Sequence, residues 1–178
     1  PRCRRDRPTG IWVFRNRGNW ADQTSPAKAG NEFNFLNCEG GHIYWWMAHP
    51  DRYFKTNPEF FGFSKLTGKR EPETLCLTNP ELLEVAVGNL KKRIRAFKEK
   101  PDLFTIGFRD SWTMCQCEKC LAPIPLSGGG TLIRKSDNPQ EDPLYFSTRY
   151  WLFVNQIVER LKQDFPETMF AGSGYFYA

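Results

Sequence analysis

Long apolar runs are missing from this sequence. None of its 178 residues fall in a stretch approaching the ~20 consecutive apolar positions of a membrane-spanning helix, so we expect no membrane span. A signal peptide is also missing. The chain begins at Pro1 without a methionine and ends at Ala178 inside a predicted strand, so we expect a chain cut at both ends, which leaves export open.

A strong excess of one charge is missing too. The 25 basic residues are largely balanced by 20 acidic ones, which leaves a net charge of +5. The most basic cluster lies within the first seven residues, and the lysines and arginines of 91–100 are typical of the solvated face of a helix. A nucleic-acid-binding domain more often has a basic stripe on its folded body. We therefore expect no nucleic-acid partner.

Aromatic residues are abundant instead. They make up 15% of the sequence, with 15 Phe, 6 Trp and 6 Tyr, although the mean hydropathy is −0.58. A chain of this length suits one domain with a buried core, and most of the rings are expected there. Some of them are expected to face a ligand.

Apolar periodicity predicts two helices, each followed closely by a strand. The first helix is capped by Asn79, starts with Pro80 and ends before Pro101; a strand over 103–108 follows. The second starts at Asp142 and Pro143, and a strand begins at Thr168. The predicted apolar stripes are Leu83, Ala86, Val87, Leu90, Ile94 and Phe97 in the first helix, and Phe146, Tyr150, Phe153, Ile157 and Leu161 in the second.

This alternation, with an earlier strand predicted over 33–38, predicts an α/β fold of parallel strands with helices outside. We expect a partial (β/α)8 TIM-like barrel, because a complete one needs ~250 residues. The whole of 1–178 is interpreted as one partial barrel domain, with βα units over 32–178 and an N-terminal segment, 1–31, that resists assignment beyond a short strand or helix end over 10–17. The expected partner of the domain 1–178 is the remainder of the same barrel.

Reactive side chains concentrate just after the predicted strand 103–108. Arg109, Asp110 and Trp112 follow it directly, at the position where barrel enzymes place active-site groups. Asp110 is the candidate catalytic or substrate-binding carboxylate. The alternative is an ion pair with Arg109 or a turn cap. The irregular segment 111–141 that follows matches the active-site loops of such enzymes.

Three cysteines lie in this loop with the spacing C-x-C-x-x-C: Cys115, Cys117 and Cys120. Cys76 precedes the Asn79 cap, and in a parallel α/β fold the loop entering a helix shares a face with the loop leaving a strand's carboxyl end. The four thiolates would suit a structural zinc ion. Disulfides in an oxidising compartment, or reduced and inert thiols in the cytosol, are the alternatives.

Other candidate ligand-binding residues follow predicted strand ends. His42 comes after two glycines and before Trp45 and Trp46, and Tyr175 follows the last strand. An imidazole with adjacent aromatic rings suits sugar binding, although ordinary packing explains these residues as well. Glycoside cleavage normally needs two carboxylates, and the partners available to Asp110 are weak: Glu118, inside the cysteine motif and expected to be solvated, Glu39 and Glu32.

The order and spacing of several short motifs resemble a domain long catalogued as of unknown function. Some of its members are bacterial endo-β-N-acetylglucosaminidases that act on complex N-glycans. The resemblance covers about residues 40–178 and depends on Gly41-His42, Tyr53-Phe54, Asn57-Pro58-Glu59-Phe60-Phe61, Gly68-Lys69-Arg70, Leu75-Cys76-Leu77-Thr78-Asn79-Pro80, Asp110 and Cys115-Gln116-Cys117-Glu118-Lys119-Cys120.

The resemblance implies a (β/α)-barrel glycoside hydrolase that is secreted, periplasmic or on the cell surface and uses the acetamido group of its N-acetylhexosamine substrate as nucleophile. Asp110 would be catalytic, and His42, Arg109, Trp112 and Tyr175 would contact the glycan. Catalysis would need no cofactor, and zinc would be structural. Ser111 stands where such enzymes often have a second acid, so that acid would lie elsewhere. A non-catalytic carbohydrate-binding module and a zinc-stabilised interaction domain are the alternatives.

Overall fold

The computed structural model describes residues 35–36, 43–97, 101, 103–107 and 113–172. The predicted short element over 10–17 lies outside these ranges. In chain order, the elements are β1 (Phe35–Leu36), α1 (Tyr44–Met47), α2 (Pro50–Tyr53), a 3₁₀ turn (Pro58–Phe60), β2 (Phe61–Ser64), β3 (Lys69–Leu75), α3 (Pro80–Arg95), β4 (Leu103–Ile106), α4 (Glu118–Leu121), β5 (Ile124–Pro125), β6 (Thr131–Leu132), α5 (Pro143–Asp164) and β7 (Met169–Gly172).

A parallel sheet of three strands, in the order β1-β4-β7, is the centre of the described fold. In the middle strand, Leu103 is in register with Phe35 on one side and Met169 on the other. Spatial order equals chain order, with α3 between the first two strands and α5 between the last two. The predicted mixed α/β class with parallel strands is therefore confirmed. Closure into a barrel stays a prediction.

Helix α3 begins where its capping residues predict. Asn79 Oδ1 accepts a hydrogen bond from the Leu82 amide at 2.9 Å, and Pro80 occupies the first helical position. All the predicted stripe residues within the helix are buried, together with Leu82, which the stripe had omitted. Phe97 lies beyond the end of the helix at Arg95 and is half-buried.

Helix α5 buries all five residues of its predicted stripe. It packs beside α3, and its last residue, Asp164, accepts a hydrogen bond from Lys91 at 3.1 Å. Arg160 and Glu84 form a second, more exposed ion pair between the two helices at 3.2 Å. Exposed pairs of this kind contribute little free energy, so the apolar stripes hold the helices together.

The connections that leave β1 and β4 contain most of the irregular structure. In the described part of the first, 43–79, the helices are short, and it also contains the antiparallel hairpin β2–β3, which was not predicted from the sequence. The second, 107–142, contains α4 and the small hairpin β5–β6. The Ile43 amide donates to the Gly107 carbonyl at 3.1 Å, so the first connection passes close to the end of β4.

The described core consists of one large cluster and two small ones. The large cluster joins α1, α3 and α5 to the sheet. A separate cluster consists of Cys76, Cys115 and Cys120, with Phe63 and Cys117 packed against it. Among the described residues, no helix has both the length and the apolar character needed to cross a bilayer.

Candidate metal centre

Two connections that are distant in sequence bring the four predicted cysteines together. Cys76 directly follows β3, Cys115 lies in irregular backbone, Cys117 directly precedes α4 with an extended backbone, and Cys120 belongs to α4. All four sulfur atoms lie within 4.8 Å of one another, so they can hold one metal ion. The predicted meeting of Cys76 with the other three is confirmed.

The sulfur spacing is compatible with a tetrahedral ion. Cys76 Sγ lies 3.7 Å from Cys117 Sγ and 3.8 Å from Cys120 Sγ. A tetrahedron with zinc–sulfur distances of ~2.3 Å has sulfur–sulfur edges of about 3.8 Å. These separations are much longer than the ~2.05 Å of a disulfide bond, and all four cysteines are free in the structure.

Hydrogen-bond donors surround the sulfur atoms. The Phe63 amide donates to Cys115 Sγ at 3.3 Å, and Thr78 Oγ1 lies 3.2 Å from Cys120 Sγ. The Arg70 guanidinium lies 3.9 Å from Cys115 Sγ and also donates to the Phe61 carbonyl at 2.7 Å. Such donors orient ligand sulfurs, and the arginine offsets part of the negative charge of four thiolates.

The thiols differ in their tendency to ionise. Hydrogen bonding to Cys115, then to Cys120, lowers the pKa of Cys76 well below its usual range. Hydrogen bonding to Cys120 lowers the pKa of Cys117 to about 6. A bond to Cys120 lowers the pKa of Cys115, but Cys76 and burial outweigh it and raise that pKa to about 12. Hydrogen bonds to Cys115 and Cys117 raise the pKa of Cys120.

This pattern has a simple electrostatic origin. Four sulfurs within 4.8 Å of one another cannot all carry negative charge unless a cation compensates it, so two thiolates are stabilised by the two thiols beside them. A bound divalent cation would remove that restriction and ionise all four. The centre therefore has the donor set of a closed, four-coordinate structural site.

Hydrogen bonds hold the hairpin β2–β3 against the loop that contains Cys115, Cys117 and Cys120, here called the cysteine loop. The Gln116 amide donates to the Phe63 carbonyl at 2.8 Å, and Gln116 Oε1 accepts from the Lys65 amide at 2.9 Å. The Cys76 amide donates to the Phe60 carbonyl at 2.9 Å. The four cysteines therefore come from two segments, the end of the hairpin and the cysteine loop, that also form hydrogen bonds with each other.

The other predicted site residues are not among those that the structure describes. This applies to the candidate catalytic Asp110 and to the candidate glycan-binding residues His42, Arg109, Trp112 and Tyr175; Glu32 and Glu39 also lie outside the described ranges. Their roles stay predictions. Glu118 is described and lies exposed beside the cysteines, as expected of a solvated charge.

The two tryptophans that follow His42 in sequence are described. Trp46 is half-buried, with the Arg93 guanidinium 4.0 Å from its ring centre, and Trp45 is 39% exposed with His49 beside it. Trp46 is therefore mainly a packing residue. Arg70 and Thr78, which contact the sulfur atoms, were not predicted as site residues, although Thr78 stands only two positions after Cys76.

Comparison with known proteins identifies the family. The sequence model of a domain of unknown function, DUF4838, matches residues 7–178, which is almost the entire chain. The chain belongs to this family. No match to the DUF4838 chain was found among curated proteins or among solved structures. Membership of DUF4838 does not itself specify an activity.

Proposed function

We propose that the chain is a glycoside hydrolase domain acting on N-acetylhexosamine-containing glycans, similar to endo-β-N-acetylglucosaminidases, with a structural zinc ion in the four-cysteine centre. Asp110 would act at the glycosidic bond, with the acetamido group of the substrate as nucleophile. In this proposal the parallel strands belong to a (β/α)8 barrel. The protein acts outside the cytoplasm, where complex glycans occur.

The main support is the position of the two connections that share the cysteine centre. They follow the carboxyl ends of the neighbouring parallel strands β1 and β4, and enzymes of this fold class bind ligands at that edge of the sheet. Asp110 belongs to the second connection, between Gly107 and Thr113 in the sequence. The glycan class comes from the motifs that resemble endo-β-N-acetylglucosaminidases.

A substitution at Asp110 tests the proposal. Asp110→Asn removes a proton-transferring or orienting carboxylate while keeping the side-chain volume, so glycan release from an N-glycoprotein should fall by about 100-fold or more. The thermal melting temperature should not change. Glu167→Gln is the control, because Glu167 is an exposed carboxylate with no candidate role in catalysis, and it should leave glycan release unaltered.

Two results would count against this assignment. Unchanged turnover in Asp110→Asn would remove Asp110 from the active site. Glycan binding by the wild-type protein without any release would instead favour a non-catalytic carbohydrate-binding module.

A further inference from the structure

A cleft separates the hairpin β2–β3 from the cysteine loop. Its volume is about 370 Å³, at the lower end of the range for small-molecule sites, about 300–1,000 Å³. Phe63, Ser64, Glu71 and Thr74 line it from the hairpin, and Thr113 and Met114 line it from the loop. These two walls belong to the connections that follow neighbouring strands of the parallel sheet.

The walls are fixed relative to each other before any ligand arrives. The Lys65 ammonium of the hairpin binds the Asp137 carboxylate beyond the cysteine motif at 2.6 Å, in addition to the Gln116 bonds to both Phe63 and Lys65. Cys76, which follows the hairpin, and Cys115, in the loop, also have their sulfur atoms within 4.8 Å of each other, and a bound metal ion would join the two segments there. A rigid cleft avoids the ordering cost that a mobile one imposes on binding.

A glycine allows the hairpin to present a hydroxyl group to this cleft. A Cβ atom at Gly62 would lie 1.8 Å from Thr74 Oγ1 and 3.6 Å from the Cys115 Cα. The bare backbone of β2 therefore leaves the space that the Thr74 side chain occupies, beside the cysteine loop.

The chemistry of the lining selects a class of ligand. The hydroxyls of Ser64 and Thr74 and the carboxylate of Glu71 provide hydrogen-bonding groups, and Phe63 and Met114 provide an apolar surface. Among the described lining residues there is no lysine or arginine, and the other carboxylate, Asp137, is neutralised by Lys65 and Arg134. An anionic ligand such as a phosphate would meet no cation in this lining.

We propose that this cleft binds a short neutral saccharide through Ser64, Glu71 and Thr74. A carboxylate accepts hydrogen bonds from sugar hydroxyls, and an apolar side chain packs against the C–H face of the ring. The choice of a saccharide over other neutral polyols rests on the proposed function. The existence of the cleft as a ligand site does not depend on Asp110.

Isothermal titration calorimetry with chitotriose, the β-1,4-linked trimer of N-acetylglucosamine, tests the proposal. We expect the wild-type protein to bind it and Glu71→Gln to weaken binding about tenfold, because a charge-assisted hydrogen bond is lost. Thr74→Val, which keeps the shape and removes the hydroxyl, should weaken binding severalfold. Glu167→Gln is the control, because Glu167 is an exposed carboxylate outside the cleft, and its affinity should equal that of the wild type.

A second measurement locates the ligand without any substitution. In amide NMR spectra of the wild-type protein, chitotriose should shift the signals of Gly62, Ser64 and Thr74, whereas signals from α5 should not move. Absence of binding at millimolar chitotriose would overturn the proposal, as would shifts that avoid the hairpin or equal affinity of both cleft variants and the wild type.

The outcomes separate this proposal from that of the enzyme. If Asp110→Asn retains full glycan release while the cleft variants lose binding, the catalytic assignment fails and the cleft stands. If the cleft variants bind normally while Asp110→Asn loses glycan release, the cleft fails and the catalytic assignment stands.

Discussion

The four thiols of the centre predict how metal binding responds to pH. At pH 7.5, Cys76 and Cys117 are thiolates because their pKa values are lowered, in the second case to about 6, whereas Cys115 and Cys120 keep their protons because theirs are raised. A tetrahedral ion needs all four as thiolates, and two of the four are already ionised. Two protons therefore remain to be released on binding.

We expect zinc affinity to rise with pH, by about 100-fold per unit between pH 6.5 and 8, because two protons leave for each ion bound. Below pH 6, Cys117 is also protonated, three protons leave, and the dependence steepens to about 1,000-fold per unit. Competition with a chromophoric chelator across this range measures the slope. Cys117→Ser should lose the steeper region below pH 6, and a slope of one or zero in the wild type would contradict the assignment.

Gly172 in β7 is required by a neighbouring aromatic ring. A Cβ atom at this position would lie 2.4 Å from two ring carbons of Trp151, which projects from α5 onto the sheet. Gly172→Ala should therefore lower the free energy of unfolding by about 1–3 kcal/mol, because the indole has to shift within a packed region. Urea denaturation followed by circular dichroism measures the change.

The substitution Gly88→Ala should instead raise the free energy of unfolding in the same urea denaturation. Gly88 lies inside α3 and a Cβ atom there would meet no heavy atom within 4 Å. Alanine should stabilise the helix by up to about 1 kcal/mol. Equal stability of the two variants would show that Trp151 does not restrict Gly172.

The start of α3 depends on one side chain that makes two bonds. Asn79 Oδ1 accepts from the Leu82 amide, and Asn79 Nδ2 donates to the Glu59 carbonyl at 3.1 Å. Asn79→Ala should destabilise the protein by about 1–2 kcal/mol in urea denaturation, because both partners lose their bond. Asn79→Asp keeps the cap and removes the donor, so it should recover most of the loss; equal losses in the two variants would contradict the capping role.

The helices could be predicted because several independent signals agree. Each has a capping position followed by proline, an apolar stripe with a period near 3.6 residues, and a defined end. The hairpin β2–β3 could not be predicted, because β3 contains Pro72 and four charged residues in place of alternating apolar ones. That hairpin is stabilised by contacts with the cysteine loop, and such long-range contacts leave no local pattern.

The four-cysteine cluster could be predicted from the sequence. The C-x-C-x-x-C spacing identified three cysteines, and the layout of a parallel α/β fold located Cys76 on the same face. Arg70 was missed because its contact with Cys115 depends on the hairpin that the sequence did not reveal. Thr78 was missed although it lies two positions after Cys76. The cleft beside the cysteine loop was not predicted either, because the hairpin forms one of its sides.

The described part of the molecule has one large apolar cluster and two small ones. The large cluster includes Phe61 and Leu75 at the base of the hairpin β2–β3, and one small cluster packs Leu121, the last residue of α4, near Ile124. Between these anchors, the outer part of the hairpin and the start of α4 meet at the cysteine cluster. Burial of three cysteines removes little apolar surface from water, so these two segments depend on the sulfur centre and on a few hydrogen bonds. Metal removal should therefore loosen these two segments before it unfolds the sheet.

We expect one zinc ion per chain by elemental analysis of the purified protein and a fall in melting temperature on chelation. At a free zinc concentration about 1,000 times the dissociation constant, binding contributes about 4 kcal/mol to the stability of the native state. Amide hydrogen exchange should accelerate mainly in residues 63–74 of the hairpin and in α4, while α3, α5 and the base of the hairpin stay protected because their apolar cluster remains. Re-addition of zinc should restore protection, whereas magnesium should not, because it prefers oxygen ligands. Uniform acceleration in every helix and strand would show that the centre stabilises the whole fold, and no acceleration would show that the hairpin holds without it.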